Sequence, residues 1–171
     1  MKYLFLYFSL TSYIFASFDN LTTFQANFIQ TITDEKNKIL IYSGSVLASK
    51  PQNVLWHYKE PVDKLVYINA YSVSIVEPEI EQVIIKNLDT NFDFFNMIKN
   101  AKKIALDIYF VKFKNVEFYI KTKDNLLYSI SYIDEFENAV KIIFSNQLYN
   151  QEISEKRYIP SFDLDFDVIR D

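Results

Sequence analysis

Gly44 is the only glycine in a chain of 171 residues, and that scarcity restricts the possible folds more than any other property of the sequence. Phosphate-cradling loops, dinucleotide-binding turns and the nucleophile elbow of hydrolases each need several glycines for close backbone approach. A single glycine excludes all three. Prolines are nearly as scarce, at Pro51, Pro61, Pro78 and Pro160. Glycine and proline are the residues whose backbone limits give their positions meaning. The run Gly44, Lys50-Pro51, Trp56, Tyr58, Pro61 therefore marks where the backbone is constrained. It also holds the only tryptophan and, at His57, the only histidine.

Around this run the sequence reads as sheet. Tyr, Phe, Ile and Val are abundant and Ala is scarce, a composition that favours pleated strands over helix bundles. Half of the residues are hydrophobic, ample for one compact core. Phe24, Ala26, Phe28 and Ile32 alternate with polar neighbours as in a half-buried strand, although Leu21, Phe24, Phe28 and Ile32 also fit a helical stripe. A polar turn over 34–38 then leads into a second strand over 39–48. Short apolar runs follow at 54–58, 65–69, 72–76 and 81–86, with the spacing of an antiparallel meander. Between Asn87 and Lys103 the period changes: Phe94, Phe95, Ile98 and Ala101 predict one amphipathic helix, with Asp89 or Asn91 as its N-cap. Strands resume at 104–110, 116–121, 127–133 and 139–144. The expectation is about ten strands, one internal helix and an irregular tail after Gln147. Some strands, such as Val73, Ile75, Val76 and Ile142, Ile143, Phe144, are apolar on both parities. That fits a two-layer core or a concave face that binds something greasy.

The N-terminus reads as a signal peptide. Lys2 precedes an apolar stretch from Tyr3 to Phe15 and a small-residue site at Ala16-Ser17. The stretch is shorter than the roughly 20 residues that span a bilayer. We expect cleavage after Ala16, with Ser17 as the alternative, leaving a single exported domain over 17–171. The chain has no cysteine, so disulfides, thiolate metal sites, a cysteine nucleophile and a lipid-attachment cysteine are all excluded. Export without disulfides suits the periplasm of a Gram-negative bacterium. The net charge of −4, with both signs interspersed, does not suggest nucleic acid, nor is there a basic cluster for an anionic membrane.

Catalytic material is thin. One histidine and no cysteine leave no metal cluster or triad, and His57 should face away from Trp56 and Tyr58 as a surface or edge residue. Glu77, Glu79 and Glu81 flank Pro78 as a solvated loop. No catalytic residue, cofactor or metal is expected. A lipid-cleaving enzyme would lack a nucleophile site.

Gly44, Lys50-Pro51, Trp56, Tyr58 and Pro61, followed by Glu77-Pro78 and Glu81-Gln82, resemble the signature of the LolA family of periplasmic carriers for outer-membrane lipoproteins. Phe24, Ala26, Phe28 and Gln30 resemble the family's first strand, which resolves the first element toward strand. Leu88-Asp89 leading into Phe94-Phe95 resembles its mid-chain helix, and Pro160 with Asp167-Val168-Ile169 its C-terminal motif. The resemblance covers nearly all of the chain after the signal peptide. It implies a mainly β fold, an unclosed antiparallel β-barrel with short helices forming a lid over a hydrophobic cavity. It also implies a monomer that binds the acyl chains of lipoproteins released by an inner-membrane LolCDE-type ABC transporter and delivers them to a LolB-like outer-membrane acceptor. LolB shares the fold but would need the missing cysteine. The alternative on the same fold is a lipid-sensing or hydrophobic-ligand-binding module.

Candidate cavity and lid residues on this resemblance are Phe28, Leu47, Trp56, Tyr58, Phe94, Phe95 and Ile98. In the family a basic residue before the first of these prolines holds the lid by hydrogen bonds, and here that position is Lys50, where arginine is usual; Lys50 is expected to donate to lid carbonyls in the closed state. Two further departures stand out. The segment between Ala16 and Phe24 is too short for the family's long first helix, which implies a reduced lid. Phe166 replaces a common glycine, so the final strand is expected to turn differently.

Overall fold

The computed structural model describes residues 18–88 and 93–170. The signal peptide expected over 1–16, and the candidate caps Asp89 and Asn91, lie outside the described residues. Among the described residues twelve strands form one sheet: β1 (Thr23–Thr33), β2 (Ile39–Ser49), β3 (Asn53–Glu60), β4 (Lys64–Ile68), β5 (Ser72–Glu77), β6 (Gln82–Asn87), β7 (Lys102–Ala105), β8 (Ile108–Phe113), β9 (Val116–Lys123), β10 (Leu126–Ile133), β11 (Ala139–Tyr149) and β12 (Asp167–Arg170). A helix, α1 (Phe94–Lys99), stands between β6 and β7. Their order in the sheet is β12-β6-β5-β4-β3-β2-β1-β11-β10-β9-β8-β7. β12 runs parallel to β6, and every other pair is antiparallel. The meander thus continues across the β1–β11 seam, and β12 and β7 are left as the two edges of an unclosed sheet. No helix among the described residues is long and apolar enough to cross a membrane.

Turns in this chain are made without glycine. Among the described residues nine others take positive φ, and six of them are Asn or Asp, the side chains that tolerate the left-handed region best. The β1–β2 and β10–β11 loops share one design. Oδ1 of Asp34 accepts from the backbone N–H of Lys36 and Lys38 at 2.9 and 2.8 Å, and Oδ1 of Asp134 accepts from Phe136 and Asn138, both at 2.9 Å. Asn37 and Glu137 then supply the positive φ, at 60° and 63°.

Gly44 does something else, because it has no positive φ. It pairs with Phe28 on β1 and with Tyr58 on β3, beside a bulge that leaves Lys59 without a partner. A β-carbon there would overlap the His57 carbonyl and sit 3.0 Å from the Phe28 ring. The glycine allows close approach of two strands and gives Phe28 room to lie across the gap. Pro51, Pro61 and Pro78 each follow a strand end, where a missing N–H costs the ladder nothing. The Lys50–Pro51 and Glu60–Pro61 bonds are cis.

Three expectations need correction. The strand expected over 104–110 is the hairpin β7–β8, which turns at Leu106-Asp107 with Asp107 at φ 55°. The helix expected between 87 and 103 contracts to six residues. Its cap is Asp93, whose Oδ1 accepts from the Asn96 N–H at 3.0 Å, and the sheet claims Lys102 and Lys103 by pairing them with Phe110 and Tyr109. The tail after Gln147 is more ordered than expected: β11 runs on to Tyr149, and β12 adds itself to β6. Phe166 donates its N–H to Asp163 at 3.2 Å and stacks near Phe162, so the last strand forms with a large residue before it.

Two hydrophobic clusters lie on opposite faces. The inner one joins Phe24, Ala26 and Phe28 of β1, Val46 and Ala48 of β2, Val54 of β3, residues of β8 to β11, and all four buried side chains of α1. The outer one joins Leu47, Leu55, Tyr67, Val76 and Val83 to Tyr158, Phe162, Phe166 and Val168 of the C-terminal segment. Strands β2 to β4 therefore place apolar residues in both clusters, whereas β5 and β6 contribute to the outer one alone.

Candidate functional site: an apolar cavity beneath a short helix

Alternation along β1 and β3 builds the site. Phe24, Ala26, Phe28 and Gln30 are buried on one face of β1, and Val54, Trp56 and Tyr58 project to the same side from β3. Phe28 sits edge-on to Trp56 at 4.9 Å and to Tyr58 at 5.2 Å, ring centre to ring centre. These offset and edge-to-face contacts hold the aromatic wall rigid. Across the seam, β11, β10 and β9 bring Ile142, Ile130 and Phe118 round to face it. Between the two walls lies a cavity of about 370 Å³, closed on the third side by Phe94 and Met97 of α1.

The helix is a plug. Six residues are far too few for a helix to hold itself together in water. Phe94, Phe95, Met97 and Ile98 are buried, and only Asn96 and Lys99 face out. Phe94 meets Phe24 at 5.9 Å and Phe95 at 5.5 Å. At about 1.5–3 kcal/mol for each large side chain buried, this packing holds the helix in place.

The expected site residues divide in four ways. Trp56, Tyr58 and Phe94 line the cavity. Phe28 lies behind the wall as its support, and Ile98 is fully buried in the inner cluster. Phe95 is buried beside Lys50, whose Nζ lies over the Phe95 ring, 5.9 Å from its centre. Among the described residues this ring face, and not a carbonyl, is the partner of that Nζ. Leu47 lies in the outer cluster, because its neighbours Val46 and Ala48 take the inner face. The lining residues outside the expected set are Gln30, Val54, Val66, Ile68, Met97, Phe118, Ile130, Tyr132 and Ile142. Phe118, Ile130, Tyr132 and Ile142 belong to strands that reach the cavity only through the long-range β1–β11 pairing, although their alternation is visible.

The cavity disfavours charge. Burial, reinforced by the neighbouring phenols of Tyr132 and Tyr42, pushes the Tyr58 hydroxyl up to about 12. Burial, with Asp134 nearby, raises Tyr132 as well. Lys64 lies over the Tyr58 ring at 5.0 Å, at the outer rim. His57, facing away as expected, meets Asp63 with Nε2 to Oδ1 at 2.9 Å. Among the described residues no cluster of side chains could hold a metal ion. The geometry is that of a container for apolar material.

Known proteins place this geometry in a family. A model described as "Outer membrane lipoprotein carrier protein LolA" matches residues 19–160. An outer-membrane lipoprotein carrier protein from Campylobacter jejuni is 38% identical over 171 residues, covering 99% of this chain and 100% of its own. Another, from Wolinella succinogenes, is 31% identical over 153 residues, covering 88% and 89%. Among solved structures, a conserved protein from Thermus thermophilus is similar in fold, with a TM-score of 0.55 at 12% identity, covering 89% of this chain and 92% of its own. A LolA superfamily protein from Nitrosomonas europaea has a TM-score of 0.51 at 10% identity, covering 85% and 94%. The open sheet, the helix-capped cavity and the sequence matches agree, and the chain belongs to the LolA family of outer membrane lipoprotein carrier proteins.

Proposed function

We propose that this chain is a periplasmic chaperone that shelters lipoprotein acyl chains in the cavity between the aromatic wall and α1. The observation that carries the reading is the cavity itself, apolar, about 370 Å³, and capped by a helix held through side chains. Its size is near the lower end of ordinary ligand sites, so a long acyl chain or a pair of them requires α1 to move. Each methylene removed from water gains about 0.8 kcal/mol, so ten give about 8 kcal/mol. That is sufficient to draw a lipid tail from water. Closure of α1 over the empty cavity competes with cargo, because Phe94 and Met97 fill part of the space when the helix is seated.

Lys50 acts as the latch in this reading. Its ammonium on the Phe95 ring ties the end of β2 to α1, a contact weaker and less directional than an arginine fork. Lysine at this position keeps the lid easily opened. The protein is exported after cleavage of residues 1–16, receives cargo as a monomer from a LolCDE-type transporter, and passes it to a LolB-like acceptor. The test is direct. Mature protein is incubated with inner membranes that carry a lipoprotein and the release transporter, and the supernatant is assayed for a soluble complex near one to one. Cargo that stays in the membrane contradicts the reading.

A further inference from the structure

Gln30 interrupts an otherwise consistent surface. The register places Tyr42, Gln30, Ile142, Ile130, Ile120 and Tyr109 in one row across β2, β1, β11, β10, β9 and β8. Gln30 is the one amide among them. It is only 8% exposed, it lines the cavity, and its Oε1 has no hydrogen-bond partner among the described residues. A buried acceptor without a donor is destabilising. A hydrocarbon side chain of similar length would fit this row at lower cost, which marks the amide as a candidate contact for a ligand.

The chemistry of the missing partner is narrow. Oε1 can only accept, so it needs an N–H or O–H. A methylene chain has neither, and nor does an ester. An amide that joins an acyl chain to the rest of its cargo has one N–H beside its carbonyl. Tyr58 and Tyr132 line the same cavity, and their phenolic O–H groups can donate to a ligand carbonyl. Ester and amide would share that second contact. Only the amide supplies the first.

We propose that Gln30 Oε1 receives the N–H at the head of a bound acyl chain, so that the cavity prefers amide-linked chains over ester-linked ones. This rests on the carrier reading above. It adds a selection by headgroup to a site otherwise described by its apolar walls.

Trp56 provides the readout, being the only tryptophan and part of the cavity wall. Mature protein is titrated with N-methyldodecanamide and with methyl dodecanoate, which carry the same chain, and Trp56 emission is followed. The wild type should bind the amide about tenfold tighter. In Gln30→Leu and Gln30→Met the ratio of amide to ester affinity should fall by about tenfold or more. An intact cavity in these variants shows as continued binding of the ester, read by the same Trp56 signal. Equal binding of amide and ester by the wild type overturns the Gln30 contact and leaves the carrier reading standing. So does a preference for the amide that persists in both variants. Failure of either compound to change Trp56 emission overturns the carrier reading and this inference together.

Discussion

Strands β2 to β4 carry apolar residues on both faces, yet the two faces are covered by different means. On the outer face the C-terminal segment lays Tyr158, Phe162, Phe166 and Val168 over Leu47, Leu55, Tyr67, Val76 and Val83, and then pairs β12 with β6 along four residues from Asp167 to Arg170. On the inner face α1 seats Phe94, Phe95, Met97 and Ile98 against the sheet as a separate helix of six residues. One cover is stitched to the sheet by a backbone ladder, and the other rests on side-chain packing. A protein that must open on one side and stay shut on the other needs this asymmetry. A ladder opens only by breaking several hydrogen bonds together, whereas a packed helix can lift as a unit.

The comparison can be broken by substitution. Leu55→Ala, in the outer cluster, should cost about 2–5 kcal/mol in denaturant unfolding and leave acyl binding to the folded protein intact. Gly44→Ala comes next, at about 3 kcal/mol. The added carbon meets the backbone carbonyl of His57 rather than the end of a flexible side chain, so the strands must part. Both effects belong to the fixed part of the molecule.

High pH acts on the inner face. Tyr58 has its folded pKa raised from 10 to about 12, so its stabilising effect is complete below pH 10 and is lost as pH climbs through 12. The unfolded chain releases this proton first. At about 1.4 kcal/mol per unit, wild type should lose up to about 3 kcal/mol over that window relative to Tyr58→Phe, read by urea midpoints at pH 9 and pH 12.

Smaller effects should follow at the cavity and at Lys50. Val66→Ala enlarges a space that already exists, so it should cost about 1 kcal/mol, at the low end for a core truncation, while changing acyl affinity. A loss as large as that of Leu55→Ala would mean that the inner face is packed like the outer one. Lys50→Leu should change stability by under about 1 kcal/mol yet shift cargo toward retention over handover. Transfer to the acceptor at the wild-type rate would remove Lys50 from the mechanism.

Much of this architecture was legible in the residues. β1 is legible by alternation and β2 to β6 as short runs bounded by proline or polar turn residues, to within a residue or two at most ends. The β7–β8 hairpin was read as one strand because Leu106-Asp107 resembles a continuing apolar-polar alternation. Only the αL backbone of Asp107 turns it. The helix was overextended because Ala101 continues the helical spacing, whereas pairing of Lys102 with Phe110 overrides that weak preference.

The cavity was half legible. Trp56 and Tyr58 are legible in the run that begins at Gly44, and Phe94 in the separate mid-chain helix motif. Ile130, Ile142 and Phe118 joined them through the β1–β11 seam, a pairing between residues more than a hundred positions apart in the sequence. Leu47 faces the outer cluster and not this cavity, and apolar runs such as Val46-Leu47-Ala48 do not reveal which parity points inward. Gly44 was located by its rarity, but its reason emerged only with the His57 carbonyl in view.

The central claim is that cargo enters on the inner face alone, and adjacent residues of one strand can test it. Val66 lines the cavity and Leu65, next to it on β4, belongs to the outer cluster. A photo-crosslinking amino acid is placed at each position in turn, and the mature protein is loaded with an acylated lipoprotein and irradiated. The account predicts a covalent adduct at position 66 and none at position 65. Adducts at both positions, or at position 65 alone, would contradict it.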